Sequence, residues 1–398
     1  MDSRRAPELD GDRIGGTRSF LPAVEGLRAC AAMGVVITHV AFQTGQHSGV
    51  GGRLLSRFDM AVAVFFALSG FLLWRGHAAA AQEMRQRPPT AHYLRSRIVR
   101  IMPGYLVAVV VILCLLPDAR GASATVWLAN LTLTQIYVPL TLTAGLTQMW
   151  SLSVEVTFYL VLPFLALLAR RLPVGARVPA ITVVAVASLA WGLLPIHTPQ
   201  GINFLNWPPA YASWFAAGML LAEFTVRPVG RVHRWARNRW LMAGIGLVAY
   251  LIAASPLAGP EGLTPATLGQ FVVRTAMGAV LAGVLLAPLV LDRPDTGHRI
   301  LGSTVMVTLG RWSYGLFVWH LAALAMAFPI VGRFVFNGDM VVILALTLIF
   351  GFAMAAVSYA LVENPCRQAL RNWEYRRLQR VPPLDSSVTD APEPVVAQ

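Results

Sequence analysis

The sequence contains no lysine. All 32 of its basic residues are arginine, set against 19 Asp and Glu for a formal net charge of +13. Charge itself is scarce, at 13% of 398 residues, or roughly half of the ~25% typical of soluble domains. That scarcity excludes a disordered chain, a nucleic-acid-binding protein and an ordinary soluble enzyme. A basic surplus marks a nucleic-acid partner only when a hydrophilic surface carries it, and here the arginines stand in short clusters between long apolar runs. Cysteine is nearly missing too. Cys30, Cys114 and Cys366 lie far apart, in no metal or redox spacing, and read as small apolar residues. No metal site and no permanently bound cofactor is expected. No internal repeat is visible, so the inverted-repeat sign of a secondary transporter is missing. The lack of lysine, together with abundant Ala, Val and Leu, fits a GC-rich genome and points to an actinobacterial source.

What is present is hydrophobic. Apolar residues make up 56% of the chain, and the mean hydropathy is +0.60. A spanning helix needs about 20 mostly apolar residues. Ten such segments are readable: 22–43, 58–76, 102–117, 147–170, 178–195, 207–226, 239–255, 266–290, 311–331 and 339–361. The fold class expected is therefore all-α, a polytopic membrane helix bundle occupying residues 21–367. A polar leader, 1–20, precedes it, and a mostly disordered tail, 368–398, follows. The first span is long for a signal segment and lacks a convincing cleavage site, so it is read as uncleaved. Segment 124–137 is amphipathic and too short to span, so it should lie at the interface or fold back.

Arginine sets the orientation. With the N-terminus inside, inner segments collect 26 of the 32 arginines and outer loops four, Arg53, Arg57, Arg120 and Arg333. Arg28 and Arg274 fall within helices. The positive-inside rule then places both termini in the cytoplasm, in a multi-pass protein of the inner (plasma) membrane.

Ionisable residues inside spans are costly and mark function by default. Arg28 and His39 share the first helix, 11 residues and three turns apart, so both face one way, about 16 Å apart along the axis. Alone, they also read as a snorkelling arginine and a helix-end histidine. Glu155 lies about two turns into the fourth span. Counted from the outer side it reaches the depth of His39, and a carboxylate there needs a partner. A structural Glu–Arg pair is the plain alternative. A His and a carboxylate at matching depth also suit a base and its orienter. Arg97 and Arg100, three apart, share a helix face and serve either as lipid anchors or as a bidentate phosphate clamp. Ser69, within FFALSGFLLW, reads as close helix packing. Ser151 stands at the head of the fourth span. Ser313, Tyr314 and His320 share the ninth, with Ser313 and His320 on one face. VENPCR ends the last helix at Pro365.

Taken together, six segments in order resemble the integral membrane acyltransferase family 3: VEGLRACAAMGVVITH, FFALSGFLLW, YLRSRIVRIMPGY, MWSLSVEVTFYLVLP, LGRWSYGLFVWH and VENP. The likeness runs from about residue 20 to 367. The family's Arg-x10-His falls on Arg28 and His39, its Arg-x-x-Arg on Arg97 and Arg100, and its Ser-Leu-Ser-x-Glu on Ser151 to Glu155. Glu25 stands where Asp is common, and Phe317 where Tyr is frequent. The resemblance implies O-acyl transfer, usually acetyl, from cytoplasmic acetyl-CoA or another acyl-CoA acting as donor substrate. The acceptor would be a hydroxyl of an envelope glycolipid or polysaccharide at the outer face, trehalose mycolate among them; a macrolide-type metabolite also falls within the family. With only a short tail after the last span, a stand-alone enzyme without a fused esterase-like domain is expected. His39 and Glu155 are the expected catalytic pair. Arg28, Arg97, Arg100, Ser69, Ser151, Tyr314 and His320 are expected to bind substrate or donor. The partners expected are acyl-CoA, the acceptor and the lipid bilayer, with no nucleic acid. A transporter or flippase for an envelope lipid or glycan is the other class the buried charges allow.

Overall fold

A computed structural model describes residues 21–379, apart from residues 88, 261–263, 265 and 293–296. The polar leader and the end of the tail lie outside the described residues. Every regular element among those described is helical. Among the described residues, apolar helices overlap the expected spans: α1 Pro22–Gln43, α2 Ala61–Ala81, α3 Thr90–Leu115, α4 Trp150–Arg170, α5 Val174–Leu189, α6 Ala212–Thr225, α7 Arg239–Ala254, α8 Leu268–Val290, α9 Thr304–Val331 and α10 Met340–Ser358. A π-turn, Tyr359–Glu363, leads from α10 into the polar helix α11, Asn364–Gln379. Seven of the apolar segments are long and apolar enough to cross a membrane, while α5, α6 and α7 are shorter. The protein is an all-α polytopic membrane bundle.

Local chemistry starts and stops these helices. Pro22 stands in the first turn of α1, where a missing N–H costs nothing. Thr267 and Gln270 close a reciprocal capping box at the head of α8, and Ser303 caps α9 by accepting from the Met306 N–H. α9 ends at Gly332 in the left-handed region. The expected third span begins 12 residues early, at Thr90, because three amphipathic turns carrying Arg95, Arg97 and Arg100 continue the helix ahead of its apolar stretch. A hydropathy count registers only the latter.

Two close fits centre the bundle on α2. Gly218 of α6 meets Ala67 of α2, and Gly70 of α2 meets Phe215 of α6, so closely that a Cβ at either glycine would overlap the facing backbone. In a membrane such small-residue contacts replace the hydrophobic drive that water supplies elsewhere. Beside them lies a buried ion pair. Arg177 (4% exposed) reaches Glu223 (1%) at 3.3 Å, Trp74 Nε1 donates to Glu223 at 2.7 Å, and the Arg177 guanidinium lies 5.3 Å from the Trp74 ring centre. Arg177, just ahead of the apolar segment 178–195, thus pins α5 and α6 to α2.

Segment 124–149 folds back into the bundle, one of the two outcomes its pattern allowed. It holds a short α-helix, Ala124–Leu131, then turns inward and ends in a 3-10 turn, Thr147–Met149. Its buried amides are anchored to backbone carbonyls: Asn130 Nδ2 to Thr141 O at 2.9 Å, Gln135 Nε2 to Met149 O at 3.1 Å and Gln148 Nε2 to Val318 O of α9 at 3.0 Å. Tyr105 donates to Asn130 O. Irregular backbone at membrane depth persists only when protein shields it in this way.

Candidate active site

A cleft with about 720 Å³ of space, its open mouth included, lies between α1, α2, α3, α4 and α9. Its walls are mainly apolar, with Val62, Phe65, Leu72, Ile101 and Leu152 among them, and its polar groups come from all five helices. Arg28 enters from α1. Arg97 and Arg100 enter from one face of α3, as their spacing requires. Ser69 comes from α2. Ser151, Glu155 and Tyr159 recur every fourth residue along α4, and Ser313 and Tyr314 come from α9. Of the nine expected site residues, seven therefore meet in one cleft.

Glu155 is the hub. Its carboxylate accepts from Ser69 Oγ and from the Tyr159 hydroxyl. Tyr159 is held in turn, its backbone carbonyl accepting from Tyr93 at 3.1 Å. Glu155 also lies within electrostatic reach of Arg28 and Arg97, and those guanidiniums within reach of Arg100. Arg28 has a partner on its own helix, Glu25, at 3.2 Å. Arg97 and Arg100 have no ion pair or hydrogen bond among the described residues, and Arg97 Nε is buried without an acceptor. Their charges face carboxylates only across space, Arg97 towards Glu155 and Arg100 towards Glu363, and guanidiniums lining a cleft suit bidentate contact with an anion. Tyr314 ties α9 to α3 by donating to Ile101 O at 2.7 Å. The hydroxyls of Ser151 and Ser313 donate to carbonyls one turn back, Gln148 O at 3.2 Å and Gly310 O at 2.7 Å.

His39 and His320 lie apart from this cluster. Phe317 borders the cleft, and its ring centre is 6.0 Å from that of His320. His320 is fully buried and stands against His39, ring centres 5.0 Å apart. The direct pairing expected of His39 with Glu155 is not formed: no hydrogen bond joins them. The reason is the fold-back of segment 124–149. It delivers the chain to α4 already inside the bundle, with Gln148 bound at the level of Val318 and Leu146 and Met149 fully buried. Counting seven residues on from Gln148, about 10 Å of helix, brings Glu155 level with Ser69 and the arginines, deeper than a count from the outer surface implies. His320, expected among the groups that bind substrate, faces His39 instead of the cleft.

Sequence reasoning missed Tyr159 and Tyr93. Tyr159 follows Glu155 by four residues on a helix, which is a readable signal for a contact. Tyr93 has none, since its bond to α4 depends on how two helices cross. Among the described residues no group of three or more His, Cys, Asp or Glu side chains converges as metal ligands.

The cleft's residues fall within the match to one protein family. A family model described as an acyltransferase domain covers residues 21–363. Acyltransferase MdmB of Streptomyces mycarofaciens is 27% identical over 88% of this chain and 92% of its own length. Nodulation protein 10 of Rhizobium leguminosarum bv. viciae is 26% identical over 80% of this chain and 84% of its own. The O-acetyltransferase OatA of Staphylococcus aureus is 21% identical over 88% of this chain, which spans only 57% of that longer protein. No solved structure matches the chain.

Proposed function

The chain belongs to this acyltransferase family as a membrane O-acyltransferase, and from that premise we propose that it moves a short acyl group, acetyl first, from acyl-CoA to a hydroxyl of an envelope glycolipid or polysaccharide. The observation that carries this reading is the pair of guanidiniums, Arg97 and Arg100, that enter an apolar-walled cleft from the N-terminal end of α3, with no ion pair or hydrogen bond of their own among the described residues. By the positive-inside rule that end faces the cytoplasm, in an inner-membrane protein with both termini cytoplasmic. Residues 21–367 form the transferase unit between the leader and the tail.

The donor's phosphates sit on Arg97 and Arg100, with Arg28 beside them. Its long arm runs along the apolar walls and presents the thioester near Phe317. His39, which like that ring packs against His320, takes the proton of the acceptor hydroxyl as its oxygen attacks the thioester carbonyl. A C–O bond forms and the C–S bond breaks. The proton passes from His39 to the departing thiolate, leaving an ester and free CoA. An alcohol is too weak an acid to attack unaided near neutral pH, so the step needs a base. Glu155 acts at the other end of the cleft. Held by Ser69 and Tyr159, it is a fixed counter-charge that sets the arginines in place.

The test uses the purified full chain in lipid nanodiscs with labelled acetyl-CoA and an envelope extract. Thiol release should depend on the extract and yield a labelled ester. Arg97→Ala with Arg100→Ala should raise the apparent KM for acetyl-CoA. Donor dependence identical to wild type would remove the arginines from donor binding.

A further inference from the structure

The reading of His39 as base, on which this inference rests, leaves two matters unaddressed: which ring nitrogen acts, and what holds the ring. The hydrogen-bond pattern answers both. His320 places Nδ1 2.7 Å from Phe317 O. A carbonyl oxygen can only accept, so that nitrogen carries hydrogen. A neutral imidazole has one N–H, and among the described residues no carboxylate hydrogen-bonds either ring to favour a second proton. His320 Nε2 is therefore a bare acceptor. It lies 3.4 Å from His39 Nδ1, and His39 Nδ1 is also 2.8 Å from Val35 O. Both neighbours of His39 Nδ1 accept, so His39 Nδ1 carries the hydrogen and its lone pair sits on Nε2.

We propose that His320 is a positioning residue that holds His39 in the Nδ1–H tautomer, leaving Nε2 as the atom that takes the hydroxyl proton. In hydrolytic triads a carboxylate performs this office, and a partner that imposes the wrong tautomer disables the base. Here a second, neutral imidazole and a helix carbonyl share it. The arrangement suits the buried site. A carboxylate in that place would need its own compensation, whereas His320 needs only the carbonyl one turn back. When His39 Nε2 gains the proton, positive charge spreads to Nδ1–H. Its bond to His320 then becomes charge-assisted and shortens from its resting 3.4 Å. The same proton returns from Nε2 to the thiolate, so the ring ends the cycle as it began.

Two variants and one spectrum test this. His320→Leu keeps bulk but removes the acceptor. His320→Gln can place its side-chain carbonyl where Nε2 stood and accept from His39 Nδ1–H. In the transfer assay His320→Leu should lower kcat roughly 10–100-fold, by analogy with the loss when the orienting partner of a metal-bound imidazole is removed, with KM for acetyl-CoA unchanged. His320→Gln should recover most of that loss. A packing role alone would lower folded yield in both variants and leave kcat per folded molecule alike in the two. Independently, ¹⁵N-histidine NMR of the wild-type chain in nanodiscs, with the His39 signals assigned by His39→Asn, should show Nδ1 protonated and Nε2 bare. This spectrum needs no substrate. A through-hydrogen-bond ¹⁵N–¹⁵N coupling between His39 Nδ1 and His320 Nε2 separates His320 from the Val35 carbonyl as the ring's partner, so the spectrum decides the proposal even if His320→Leu does not fold, and it stands apart from whether acyl transfer is detected; absence of that coupling overturns it. A His39 protonated at Nε2, or a His320→Leu enzyme with wild-type kcat, overturns it.

Discussion

Removing His39 and Glu155 together should multiply their separate losses. The two groups lie at different levels of the bundle. Arg28, within electrostatic reach of Glu155, is 11 residues and about 16 Å of helix from His39, and no bond joins the carboxylate to the imidazole. Sites more than about 7–10 Å apart with no shared partner add within ~0.5 kcal/mol. Loss of a general base costs about 10²–10⁴-fold, so His39→Ala sacrifices at least ~2.7 kcal/mol of barrier lowering. Glu155→Gln keeps the shape and an acceptor for Tyr159 but removes the charge that faces Arg28 and Arg97. A charge pair at roughly 6 Å in an effective dielectric of about 20 amounts to ~3 kcal/mol. Only the part that differs between resting and transition states affects rate, which leaves a loss of about 10–100-fold. The double variant should therefore fall about 10³-fold at minimum, at least tenfold below either single. Initial rates at saturating acetyl-CoA, per mole of monodisperse protein in nanodiscs, give all four corners of the cycle. A double variant no slower than the worse single would show that the two act as one unit and refute the separation.

Other expectations follow from single contacts. Arg100→Lys should regain only part of the donor affinity lost in Arg100→Ala, because an ammonium cannot grip a phosphate bidentately; equal KM in the two variants would count against a phosphate. Gly218→Leu should push α6 off α2 and lower stability by about 1–3 kcal/mol, read as a reduced thermal midpoint in detergent, and an unchanged midpoint would deny the close contact. Glu223→Ala leaves the Arg177 guanidinium buried and unpaired. A loss of about 3–5 kcal/mol is expected, with Glu223→Ala/Arg177→Met recovering much of it; no recovery in the pair would locate the cost elsewhere.

Apolar run length made the helices legible, because a span must satisfy its own backbone inside lipid. It misplaced a boundary where a helix mixes two characters, as in the basic first turns of α3. Side-chain spacing made Arg97 and Arg100, and the line from Ser151 through Glu155, readable as single faces. Depth was the weak point. Counting inward from the outer end of the fourth span puts Glu155 beside His39, whereas the chain between Ala124 and Met149 has already turned into the bundle. Short-range periodicity carries no record of such a fold-back, which rests on three amides meeting carbonyls far along the chain. Likewise Ser313 and His320 share a helix face in sequence, yet only the crossing of α1 with α9 reveals that His320 answers to His39.

The central claim is O-acylation of an envelope hydroxyl with His39 as the base. Comparative mass spectrometry of lipids and glycans from a deletion strain tests it most directly, with complementation by the wild-type chain and by His39→Ala at equal membrane levels. Deletion should remove an acetyl mass from one lipid or glycan class. The wild-type gene should restore it and His39→Ala should not. Persistence of every acetylated species in the deletion strain, or full restoration by His39→Ala, would contradict the account.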